Sequence, residues 1–146
     1  MTIYFRNKPI SLTWILPLAF GFNVANAQTA EERFVKQSLL VVSAFQCAIV
    51  ATDAKRQERL FMLGLKSGRD FIEVARNKPE LYNKVRGDIP MLWTMNAGPT
   101  ADIILGQIYA QLGDDIYKKM HPSGDEKLWK MTKENMYREK NCELLS

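Results

Sequence analysis

The sequence predicts an all-α fold: a single small bundle of about five helices, tied by one disulfide. Three observations lead there. Apolar residues recur at three- and four-residue spacing through long stretches, cap-forming residues open those stretches while Gly or Pro closes them, and no segment alternates apolar with polar residues as a half-buried strand does. The 146 residues, 47% hydrophobic and 25% charged, suit one globular domain.

The first 27 residues stand apart from the bundle. They contain no acid, carry Arg6 and Lys8, run apolar from Ile10 to Phe22 and end on the small-residue sequence Ala25-Asn26-Ala27. This order of basic, apolar and small residues predicts a secretory signal peptide over residues 1–27, cleaved before Gln28 to leave a helical domain over residues 28–146. As a helix its apolar run would reach about 20 Å, short of the roughly 30 Å hydrocarbon core, and Pro17 interrupts it. No stable membrane anchor is expected after cleavage, and the expected destination is the periplasm or the outside.

Cys47 and Cys142 both fall in the exported part, 95 positions apart. An even count in an exported chain predicts a disulfide. In the chain-entropy account such a link disfavours the unfolded state by about 4 to 5 kcal/mol.

Each helix is read from its own signals. Thr29-Ala-Glu-Glu32 is a capping box that opens a first helix running from about Ala30 to Thr52. Phe34, Ser38, Val41, Phe45 and Ala48 form one stripe of it and Val35, Leu39, Val42 and Ile49 the next, so this is the core helix and Cys47 rides on it. A polar patch, Asp53 to Arg59, leads into a second helix that ends near Arg76, ahead of Asn77-Lys78-Pro79. Gly64 and Gly68 lie one turn apart on its apolar face. Each costs a helix about 1 kcal/mol against Ala, which predicts the close approach of a neighbouring helix.

After a short segment from Pro79 to Val85 and a break at Arg86-Gly87, Asp88-Ile89-Pro90 predicts an N-cap and first-turn proline for a short helix. That helix carries Met91, Leu92, Trp93 and Met95. Gly98 is expected in the left-handed region and Pro99 in the first turn of a fourth helix, about Pro99 to Lys119, striped by Ile104, Ile108, Leu112 and Ile116. Ser123-Gly-Asp-Glu126 repeats the capping-box pattern before a fifth helix, about Asp125 to Lys140, whose apolar face is Leu128, Trp129, Thr132, Met136 and Glu139. Cys142 lies just past its end.

Little in the chain carries chemistry. A zinc site needs several His, Cys, Asp or Glu ligands, and the single histidine, His121, sits in a Pro-flanked turn. The same histidine would have to serve any Ser-His-Asp or Cys-His constellation, and no nucleophile motif accompanies it. Asp102, Asp114, Asp115 and Glu73 leave paired-carboxylate hydrolysis open, though nothing selects two of them. Met91 and Met95, spaced i, i+4, with Met120-His121, raise a copper(I) alternative, against which stands the ordinary use of Met as core filler. Nucleotide-binding fingerprints are absent. Hence no catalytic residue, metal ligand set or cofactor is assigned. The formal charge of +4 loses Arg6 and Lys8 with the leader and is spread without a basic stripe, so nucleic acid is not an expected partner.

What remains is surface contact. The segment from Pro90 to Asp102 gathers Met91, Trp93, Met95, Asn96 and Asp102 around a stiff Gly98-Pro99 junction, and aromatic and Met residues are over-used at contact centres. The competing reading places Trp93 beneath that turn as core. The expected partner is another protein.

Four runs carry a resemblance: Ala44-Phe-Gln-Cys47, Glu58-Arg-Leu-Phe61 with Gly64 to Phe71, Gly98 to Gly106, and Asn141-Cys-Glu-Leu-Leu145. Together the chain resembles a group of small exported bacterial helical proteins with a Cys pair, over nearly all of residues 28–146. No activity is attached to that group, so no functional residue carries over. By elimination, the architecture suits a periplasmic binding module, an immunity or inhibitor protein or an envelope accessory protein, and it is loosely similar to periplasmic immunity proteins of secretion-system amidase toxins.

Overall fold

The computed structural model describes residues 28–120 and 125–145. The expected leader, residues 1–27, lies outside the described residues, as do His121 and Ser123. Among those described the fold is all-α, without strands: α1 (Ala30–Val50), α2 (Ala54–Asn77), α3 (Pro79–Val85), α4 (Leu92–Met95), α5 (Ala101–Met120) and α6 (Glu126–Glu139), followed by a 3-10 turn, Cys142–Leu145.

The capping box at Thr29 forms as its sequence requires. The Thr29 hydroxyl accepts the Glu32 N–H at 3.1 Å while the Glu32 carboxylate accepts the Thr29 N–H at 3.3 Å. α1 then buries the whole stripe Phe34, Ser38, Val41, Phe45 and Ala48. It is long and apolar enough to cross a membrane, and here that apolar stripe is spent on packing against α2 and α5. The second stripe is only half covered, with Leu39 46% exposed.

α2 starts earlier than the run of charges suggests, because Asp53 caps it by accepting the Arg56 N–H at 2.8 Å. The polar patch is therefore the solvated first turns of the helix. Lys78, just ahead of Pro79, is forced out of the helical region (φ −134°, ψ 65°), which ends α2 and lets proline open α3. Gly64 lies against the Phe45 ring of α1 and Gly68 against Leu105 of α5, so the bare face of α2 seats both neighbours as its glycines predict.

Four local expectations are corrected. Asp88 is not an N-cap: it lies in the turn after α3, its N–H donating to the Val85 carbonyl at 2.8 Å, and Met91 precedes an α4 of a single turn. Gly98 does not adopt a left-handed φ; its missing side chain makes room for Ile103, whose Cγ2 would stand 2.8 Å from an added Cβ. The residue that does take positive φ is Asn141 (φ 53°), which reverses the chain after α6 and delivers Cys142 to the core. At the start of α6 the cap is Asp125, whose carboxylate accepts the Lys127 and Leu128 N–H groups at 2.8 and 3.2 Å. The inward face of α6 is correspondingly rotated: Tyr137 is buried, while Leu128 is 42% exposed.

The core has two parts. One gathers Phe34, Val41, Phe45, Phe71, Trp93 and Ile108 around α1, α2, α4 and α5. The other gathers Cys47, Val50, Leu60, Ile116, Tyr137 and Cys142 where α6 returns to the end of α1. The disulfide Cys47–Cys142 is fully buried in the second part, with Cα atoms 5.4 Å apart, within the range such bonds require. Beside it Lys140 donates to the Gln46 side chain at 3.0 Å, and burial, then the nearby Lys119, lower its pKa.

Candidate functional site

The Pro90–Asp102 segment forms a corner between α3 and α5. α4 is too short to have an inner face of its own by periodicity, so one side chain decides its seat. Trp93 is 6% exposed, tilts against Phe71 at a ring separation of 4.3 Å, and donates its indole N–H to the Ser38 carbonyl at 3.3 Å. That carbonyl belongs to α1, whose Ser38 hydroxyl turns back onto the Val35 carbonyl at 2.7 Å. Trp93 is thus the peg that fixes the corner to the core.

Two residues to either side, Met91 and Met95 emerge into solvent, 69% and 61% exposed. Asn96 closes the turn by donating its amide to the Leu92 carbonyl at 2.8 Å and to the Gln111 side chain at 3.2 Å. Asp102 is turned elsewhere. It receives Arg69 of α2 through two bonds of 2.7 and 3.0 Å, and this contact holds its carboxyl below the usual value.

Of the five residues singled out by sequence, Trp93 and Asn96 line a common cleft of about 210 Å3, and Met91, Met95 and Asp102 are not among its lining residues. The floor is buried and apolar: Phe71, Ile72 and Trp93, with Ile104 half-buried. Tyr82 of α3, Asn96 and the exposed Arg76 of α2 form the rim. Arg76 donates to the Gly98 and Pro99 carbonyls at 3.4 and 3.5 Å, long contacts that leave its charge without an acidic partner among the described residues.

Sequence reasoning missed Arg76 and Tyr82. Arg76 sits in the last turn of α2, where a cation is already accounted for by the helix dipole, and Tyr82 lies on a helix too short to show a face. The four acids considered for hydrolysis, Glu73, Asp102, Asp114 and Asp115, are all exposed, and none lines this cleft. Met120 belongs to the second part of the core rather than to the α4 corner, and no group of three or more His, Cys, Asp or Glu stands ready for a metal among the described residues. No family model, curated protein or solved structure matches the chain.

Proposed function

We propose that this chain is a small exported helical protein that works by binding another protein through its α4 corner, as an inhibitor, immunity or envelope accessory protein. Two exposed thioethers on a turn pegged by one buried side chain carry this reading: Met91 and Met95 are held out to solvent by Trp93 between them. Adaptable Met side chains beside an apolar cleft suit a contact centre, where a few anchors supply most of the affinity. The basic, apolar and small-residue order of residues 1–27 and the buried disulfide support export.

The test is a photo-crosslinking amino acid placed at position 91 or 95 in the native host, with position 83 on α3 as the control. One adduct of discrete mass at both positions, absent at 83 and recovered in stoichiometric amount with the unmodified protein, is the expected result. No adduct at 91 or 95 would end the proposal. For the immunity version, the gene of the adduct's partner is expected beside this one and to encode a toxin or wall hydrolase. Intact mass starting at Gln28 checks the export half.

A further inference from the structure

The cleft beside α4 has a chemistry of its own. Its floor is apolar and its size, about 210 Å3, is below the roughly 300–1,000 Å3 of sites that enclose a whole small molecule. It is built to take one side chain. Residues of four elements, α2, α3, α4 and α5, line it, and it is open to solvent on its outer side. Among the described residues lining it, Arg76 is the one with a charge, and that charge is met only by two distant carbonyls. Asn96 commits its amide nitrogen twice, which leaves its Oδ1 as an acceptor on the same rim.

An apolar side chain, a carboxylate and an N–H within one residue's length of each other describe the last residue of a polypeptide. We infer that the cleft is a receptor for the free C-terminus of a partner protein ending in an apolar residue such as Leu. The side chain enters over Trp93 and Phe71, the terminal carboxylate takes charge-assisted bonds from Arg76, and the terminal amide N–H donates to Asn96. An internal Asp or Glu fits less well, because its carboxylate is its side chain and the same residue then has no apolar group to set on the floor of the cleft. The inference rests on the docking reading above and specifies what the partner presents.

Three synthetic peptides test it on the full folded protein: acetyl-Gly-Ser-Ala-Leu with a free carboxylate, the same peptide as its carboxamide, and the free acid ending in Ser. NMR follows the Trp93 indole N–H, assigned with Trp93→Phe. The free Leu acid is expected to shift that resonance saturably and to bind about tenfold more tightly than the other two, the amide losing one charge-assisted contact and the Ser acid the burial of an apolar side chain. Arg76→Gln, checked by an unchanged melting curve, is expected to abolish the preference of acid over amide. Equal binding of acid and amide, or no movement of the indole resonance, would overturn the inference. So would binding of 4-methylpentanoate as tight as the peptide, which would reassign the cleft to small acids. Crosslinks that persist at 91 and 95 while the peptides stay silent sink the cleft alone; peptide binding without crosslinks sinks the α4 docking face alone.

Discussion

A methyl group placed on Gly64 would come within 2.5 Å of two carbons of the Phe45 ring, and one on Gly68 would overlap the buried Leu105 side chain. Neither neighbour has room to retreat, since both are fully buried. Gly64→Ala and Gly68→Ala are therefore expected to lower stability by about 1 to 2 kcal/mol despite the better helix former. Gly106→Ala and Gly113→Ala on α5 meet nothing within 4 Å and are expected to raise it by up to about 1 kcal/mol. Urea denaturation of the four variants checks the contrast. Tyr137 supplies a second case, because its hydroxyl is buried without a hydrogen-bond partner among the described residues, with the Arg56 guanidinium 5.3 Å from the ring centre. Tyr137→Phe removes an unsatisfied group and is expected to raise stability by about 1 kcal/mol, read as a higher urea midpoint; a lowered midpoint would show that the hydroxyl has a partner in solution. The sequence showed that Gly64 and Gly68 need a close neighbour because propensity alone makes them costly. It left Trp93 open between contact surface and core, since a single turn flanked by two methionines has no periodicity to read, and the core reading is the one the structure bears out.

Between elements, the sequence was legible where a local signal fixes the geometry. Thr29 and Glu32, or Lys78 before Pro79, act through bonds and clashes that span three or four residues, and the boundaries they mark are found. It was less legible where tertiary contact decides: Asp88 and Gly98 carry the right local chemistry for a cap and a left-handed turn, yet the pegging of Trp93 and the packing of Ile103 set the chain there. Ion pairs join elements that are distant in sequence. Lys84 of α3 holds Glu31 of α1 at 2.7 Å, and Arg69 of α2 holds Asp102 of α5. Hydrogen bonds from those cations lower both carboxyl pKa values in the folded chain. The unfolded chain then takes up protons first, so the two pairs favour folding above the usual carboxylate range and lose that effect as pH falls through the lowered values. Both acids are solvent-facing, which keeps the effect small and salt-sensitive. Asp102→Asn is expected to lower the urea midpoint slightly at neutral pH, with the difference from the unaltered protein vanishing in acid.

At the scale of the molecule the disulfide closes a span of 95 residues and sits in the smaller part of the core. The Cys47→Ala, Cys142→Ala double variant is expected to lose about 4 to 5 kcal/mol, minus whatever order the reduced unfolded chain retains, read as a shifted denaturation midpoint that reductant no longer changes. The cysteine count and the helix pattern together made this link legible, while the cleft at α4 was not, because its rim and floor come from four elements whose juxtaposition no spacing announces. α1 contributes Phe34 to Phe45 to one part of the core and Cys47 to Val50 to the other. With a single rod as the spine of both, the two halves are expected to unfold together once α1 is lost, while an element that packs on one half alone can open by itself. The α3–α4 corner buries only Val85, Ile89 and Trp93 fully, with Leu81, Tyr82 and Leu92 half-covered. Deuterium is expected to enter there first, so the face offered to a partner is also the face that breathes.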